Sequence, residues 1–255
     1  MSIIYAMKVK IILFIFFSAQ ILYAQKKFST QYTPLSINAS FGVQNPVADL
    51  SKRFGANLTV GGGLEYISLP KGWIVAADFQ YLFGQKVKED VLANMRTPDG
   101  AILGDIGTYA NIQLRERGIY IGVNAGKLFK FFDNGNRIGG LRFTAGCGFV
   151  QHKIRIQDNG NSAPQIAPPY TAGYDRLTNG IALTQFIGYQ IVSRDKTINF
   201  FIGLDFTEGF TQNRRVFNFD TRQADTKKRL DILYGARVGW SIPLFTNQNA
   251  DDIEY

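Results

Sequence analysis

Residues Arg229–Phe245 read RLDILYGARVGWSIPLF. Even positions Leu230, Ile232, Tyr234, Ala236, Val238 and Trp240 are apolar. Odd positions Asp231, Gly235, Arg237 and Gly239 are polar or tiny, with Leu233 the exception. Side chains alternate across a strand, so this one has an oily face and a face of charge and glycine. A soluble sandwich could use such a strand. Its place as the last periodic segment suggests a different use: pairing back onto the first strand, so that neither edge is left open.

The opposite end of the chain narrows the setting. Met7–Ala24, MKVKIILFIFFSAQILYA, places Lys8 and Lys10 before the apolar run Ile11–Phe17 and then small residues up to Ala24. That is the pattern of a secretory signal peptide, expected to span 1–24 with cleavage after Ala24, and with Met7 an alternative start to Met1. The mature domain is then 25–255. No cysteine lies near the cut, so no lipid anchor is expected. Past residue 24 no run reaches the roughly 20 apolar residues that a membrane helix needs.

Composition agrees with strands. The chain of 255 residues holds 26 Gly, 21 Phe and 12 Tyr, and its single Cys147 excludes an internal disulfide. The formal charge is +8, of which Lys8 and Lys10 contribute two, leaving +6 on the mature chain. That balance suits acidic neighbours such as lipopolysaccharide phosphates.

Alternation marks further strands. Leu35, Ile37, Ala39 and Phe41 alternate with Ser36, Asn38 and Ser40; Leu58–Tyr66 and Trp73–Phe83 repeat the pattern around the turn Ser68–Gly72. In Gly139–Ile156, Leu141, Phe143, Ala145, Cys147 and Phe149 oppose Arg142, Thr144, Gly146 and Gly148. Asn179–Val192 and Ile198–Phe210 complete the set before the closing strand. Gly107–Phe132 is ambiguous. Ala110, Ile112 and Leu114 are apolar at even positions, whereas Ile119, Ile121, Val123 and Ala125 are apolar at odd ones. The slip at Arg115–Gly118, RERG, predicts either two strands or one long strand with a β-bulge. Single-chain barrels carry even strand numbers with short turns on one side and long loops on the other. One bulged strand, reaching beyond the bilayer at its loop end, satisfies both rules. The expected fold is all-β: an eight-stranded antiparallel up-and-down transmembrane β-barrel. Only Thr246–Tyr255 follows, so no added domain is expected.

The signal, the eight strands, the loop asymmetry and the closing strand resemble the small outer-membrane β-barrel superfamily, of the OmpA/OmpX/OprF-like kind. PVADLSKRFG at Pro46–Gly55 with VGGGLEY at Val60–Tyr66 looks like barrels from Bacteroidota. The resemblance implies an integral outer-membrane location, termini in the periplasm and long loops outside. It also implies contact with outer-membrane lipid and lipopolysaccharide.

Candidate sites follow from the polar faces. Glu65, Asp78, Arg142, Asp205 and Arg237 fall on the inward side of their strands. Charges inside a narrow barrel must be paired, because unpaired burial is costly. They line a gated pore or, given the dimensions of eight strands, form a salt-bridge plug. Tyr174, Asp175 and Arg176 in GYDRLTNG form a candidate partner-contact loop, or else a local Asp–Arg pair and turn. Arg214, Arg215, Arg222, Lys227 and Lys228 against Asp220 and Asp225 give the last loop a net +3. His152, the only histidine, has no nucleophile signature beside it and is expected to be a polar rim residue. No catalytic residue, cofactor, metal site or nucleic-acid partner is expected. The expected role is a non-enzymatic structural or interaction component of the envelope, alone or within a larger outer-membrane machine. The alternative is a porin-like barrel passing small solutes.

Overall fold

A computed structural model describes residues 35–68, 71–134, 137–193 and 199–244. The signal segment with its cleavage point, parts of the turns Ser68–Gly72, Asp133–Arg137 and Ser193–Lys196, and the tail Thr246–Tyr255 lie outside the described residues. Eight long strands run β1 Leu35–Ala48, β2 Asn57–Ser68, β3 Trp73–Gly84, β4 Ile112–Asp133, β5 Arg137–Asp158, β6 Thr178–Ser193, β7 Phe200–Asn213 and β8 Lys228–Pro243. Each pairs antiparallel with its neighbours, and β1 pairs with β8, so the sheet closes into a barrel. Phe41 sits opposite Val238 and Ala39 opposite Trp240 in that closing seam. Closure thus leaves no free sheet edge where all eight strands run side by side, as a chain crossing lipid by strands requires.

Alternation decides which face meets lipid. Val75, Ile121 and Ile181 point outward and are 55%, 55% and 67% exposed. Trp73 and Trp240 stand at the short-connection end, with Lys127 Nζ 5.6 Å from the Trp73 ring. Aromatic and cationic side chains at the edge of an apolar belt are the mark of a membrane interface. At the same end, Ile67, Ile74, Leu128, Ile138 and Val192 point inward and form a buried apolar floor.

The expected single long strand is present, but the bulge is not at RERG. β4 and β5 pair without a break from Ile112↔Asp158 to Lys130↔Gly140, and the register shifts only between Lys130 and Phe132. The change of apolar parity has another cause. β4 and β5 have 22 residues each, about twice what crosses a bilayer, so their far halves stand beyond it. There Ile112, Leu114 and Ile156 turn inward to pack against an apolar cluster that includes Phe54, Val91, Leu92, Ile154 and Ile166.

The segments building that cluster are L1 (49–56), L2 (85–111) and L3 (159–177). L1 holds a single helical turn, Leu50–Arg53, and L2 a two-residue pairing of Ile102–Leu103 with Tyr109–Ala110. L4 (214–227) lies over the same mouth, where Asn218 pairs with Gln223. Leu233, the exception in the alternation of β8, is 4% exposed and belongs to this cluster at the top of the lumen.

Candidate functional site: the closed lumen and its cap

Above the apolar floor the lumen is polar. Arg142 Nη2 from β5 lies 2.5 Å from Glu65 Oε2 of β2, and both residues are buried. Gln190 joins them, accepting from Arg142 at 3.2 Å and donating to Glu65 at 3.4 Å. One level up, Arg237 Nη2 stands 3.0 Å from Asp205 Oδ1, and its Nη1 lies 3.8 Å from Asp78 Oδ2. Gln44 donates to Asp205 at 3.0 Å and Asn124 to Asp78 at 2.8 Å. Thr184 and Tyr120 continue the chain of hydrogen bonds. All five charges read from the inward faces therefore share two connected groups across the lumen.

Two aromatic rings pack between these groups. The Arg142 guanidinium lies 4.8 Å from the Phe201 ring centre, and that of Arg237 lies 5.0 Å from Phe186. Phe186 and Phe201 meet edge to face at 5.6 Å. Cation–π contact of this kind strengthens when water is excluded. The inward glycines do not leave a channel where these rings reach. A Cβ at Gly239 would collide with the Phe201 ring, and one at Gly122 with Tyr120. Glycine there gives a neighbouring ring room to lie flat on the wall.

Higher still, His152 is buried rather than at a polar rim. Its Nε2 lies 2.9 Å from Asp231 Oδ2, and its ring meets Phe54 edge-on at 5.7 Å. Thr211 Oγ1 donates to the same Asp231 carboxylate. Phe54 belongs to L1, so this group touches the loops directly, and Leu233, two residues farther from the loop end of β8 than Asp231, lies on its lumen side. Among the described residues, no three His, Cys, Asp or Glu side chains are grouped to hold a metal ion.

Four loops are tied over the mouth by two acids, Glu89 and Asp220, that share Arg176. Glu89 of L2 accepts from Arg53 of L1 and from Arg176 of L3, both at 2.8 Å. Arg176 also reaches Asp220 of L4 at 2.5 Å. Burial favours the protonated acid, but the Arg53 charge and the two arginine hydrogen bonds outweigh it and hold the Glu89 pKa below its ordinary value. The same bonds raise Arg176 against its own desolvation. Asp175 is bound by Arg215 through two hydrogen bonds, at 2.8 and 2.5 Å.

Tyr174, Asp175 and Arg176 are thus 9%, 3% and 3% exposed. The Asp175 carboxylate and the Nε and Nη2 of Arg176 are bound inside the cap, and Tyr174 packs edge-on against Phe219 at 5.4 Å. Asp175 and Arg176 do not pair with each other. The excess charge of L4 is also partly used: Asp220 goes to Arg176, Asp225 to Arg229, and Arg215 to Asp175. Arg222, Lys227 and Lys228 remain exposed.

Closure of the ring and the lipid-facing belt decide the fold. This is the small outer-membrane β-barrel fold. No family model matches the chain, and no curated protein does. Among solved structures, the barrel is similar to Neisserial surface protein A at 9% identity and a TM-score of 0.41, over 82% of this chain and 96% of that one. It is similar to Ail of Yersinia pestis, crystallised with the heparin analogue sucrose octasulfate, at 12% identity and a TM-score of 0.37, over 84% and 100%. It is also similar to OprG of Pseudomonas aeruginosa at 10% identity and a TM-score of 0.35, over 83% and 96%.

Proposed function

We propose that the barrel is a closed, non-enzymatic membrane anchor that displays a rigid four-loop cap as an interaction component of the cell envelope, alone or within a larger outer-membrane assembly. The supporting observation is the stacking along the lumen. An apolar floor, two ion-paired groups with interleaved rings and an apolar upper cluster completed by the loops follow one another along the lumen. Eight strands leave an interior that side chains just fill. Opposite charges at this range, away from water, hold each other strongly, and separating them leaves each one buried and alone.

In this arrangement the termini lie in the periplasm and the cap faces outward. The support is the asymmetry of the connections, long after β1, β3, β5 and β7 and short after β2, β4 and β6. Cysteines placed in 85–106 are then reachable in intact cells, and cysteines at Lys71 are not; the reverse pattern overturns the orientation. Closure is tested in planar bilayers beside a known porin. The expected result is no steady conductance. Channels whose selectivity changes in Arg142→Gln or Arg237→Gln establish small-solute transport instead.

A further inference from the structure

Above the lipid belt, the outer face of the β4–β5 ribbon carries a ladder of like charge. Arg117 pairs with Lys153, and Arg115 with Arg155, in directly opposed positions. Odd residues of both strands point outward here, since Glu116 and Ile154 between them are buried at 0% exposure. Opposed side chains on one face stand roughly 5 Å apart at Cβ, where like charges repel. Among the described residues none of the four forms an ion pair with a carboxylate; the Arg117 charge acts only on its chain neighbour Glu116, which is buried on the opposite face of the strand. Arg115 donates to the Gln113 side-chain oxygen, and Arg117 to the backbone carbonyl of Glu116.

The ladder's height supplies the missing partner. The next outward rungs below it are Ile119↔Gln151 and Ile121↔Phe149, the last being within the apolar belt. Phe83 of β3 sits beside Arg117. The lower pair of cations therefore stands at the headgroup level of the leaflet on the cap side, and the upper pair roughly 7 Å along the strands beyond it. Two cations on each rung, aimed sideways at the leaflet, match phosphate in charge and hydrogen-bond geometry. A phosphate monoester, at close to two negative charges, balances one rung.

The geometry points to Arg115, Arg117, Lys153 and Arg155 as a lateral binding site for the phosphate monoesters of a glycolipid headgroup in that leaflet. The site rests on the outward orientation proposed above for its place in the cell, but not for its chemistry. The exposed cations of L4 are not part of it. They lie on the cap rather than against the leaflet.

The test uses the whole barrel in nanodiscs of phosphatidylcholine doped with bis-phosphorylated lipid A, the same lipid A with its phosphates removed, or phosphatidylglycerol. Lipid that stays with the protein is counted by native mass spectrometry. Retention of phosphorylated lipid A is expected to exceed that of either other lipid on the order of tenfold. The variant R115Q/R117Q/K153Q/R155Q should lose that preference while keeping its heat-modifiable gel shift. If it does not fold, the pair variants R115Q/R155Q and R117Q/K153Q should each lose part of it. R222Q/K227Q/K228Q, which removes charge from L4, should keep all of it. Equal retention by wild type and ladder variants overturns the site, as does an equal loss in the L4 variant. Equal retention of phosphatidylglycerol, or displacement by inorganic phosphate alone, overturns the glycolipid assignment. Because nanodiscs have no inside or outside, failure here leaves the cellular orientation standing, and a reversed labelling pattern leaves this result standing.

Discussion

Ile119–Ala125 and Ile112–Gly118 belong to one strand and one unbroken register, yet their apolar residues point in opposite directions. In the first, Ile121 and Val123 face outward at 55% and 58% exposure, while Tyr120 and Asn124 face the lumen. In the second, Ile112 and Leu114 turn inward against the cap cluster, and Gln113, Arg115 and Arg117 face outward. The backbone does not distinguish the two halves. The surrounding medium does, since lipid takes apolar groups on the outer wall and water rejects them. A change of parity along a strand can therefore mark where the strand leaves a membrane as well as where it bulges.

The largest effect belongs to the polar interior of the lipid-embedded half. Glu65→Leu leaves Arg142 buried without its carboxylate, and the expected loss of stability is about 3–5 kcal/mol. Adding Arg142→Met should recover most of it, because replacing a buried pair by apolar groups of similar volume is often neutral. Urea-driven unfolding in lipid vesicles measures both. If the double variant were as unstable as the single, the pair would be contributing something other than mutual neutralisation.

The two halves of β4 then offer a direct contrast on the outer wall. Ile121→Arg places a cation in the belt and should cost about 2–4 kcal/mol. Arg115→Ile, the converse change six residues earlier on the same face, should leave folding almost untouched. Comparable losses in both would mean that the lipid boundary does not lie between them.

How much of this was legible follows the same division. Alternation in the belt was enough to place all eight strands and the five lumen charges Glu65, Asp78, Arg142, Asp205 and Arg237, because lipid imposes one rule on every strand that crosses it. Beyond the belt the rule changes. RERG therefore suggested a bulge that the structure places instead between Lys130 and Phe132. Leu233 looked like an exception until the cap cluster gave it neighbours. His152 gave no local sign of its contact with Asp231, 79 residues away. The cap network was illegible for the same reason. Glu89, Arg53, Arg176 and Asp220 come from four separate loops, and no spacing in one loop encodes a partner in another. The one available signal was the abundance of Arg and acid in loops that no apolar periodicity explains.

That network makes the cap sensitive to acid. Glu89 has an ordinary value of 4.5 and is lowered in the folded cap. Its contribution is therefore complete above pH 4.5 and is lost as pH falls through the lowered folded value. Hydrogen exchange or limited proteolysis of L1–L4 between pH 7 and pH 3 should show the loops loosening while the strands stay protected. Arg176→Gln should move that loosening to higher pH, because it removes one of the two guanidinium partners that hold Glu89 ionised. A cap equally protected at both ends of the range would assign its rigidity to Phe54, Val91 and Ile154 instead.

The smallest expected effect tests whether the outer face beyond the belt is set by solvent alone. Arg155 is exposed and stands opposite Arg115, with no acid of its own. Arg155→Thr removes one of two facing like charges and keeps a residue suited to strands. In lipid without phosphate monoesters the change should stabilise slightly, by no more than about 0.5 kcal/mol. The gain should be greatest at low salt and vanish at high salt, where screening shortens the reach of exposed charge to a few ångströms. Thermal unfolding in phosphatidylcholine at low and high salt separates the outcomes. A loss at low salt would mean that Arg155 makes a favourable contact within the chain. A gain indifferent to salt would mean that the benefit comes from strand propensity. Only a salt-dependent gain leaves the two arginines in real conflict, a strain that a phosphate between them would relieve.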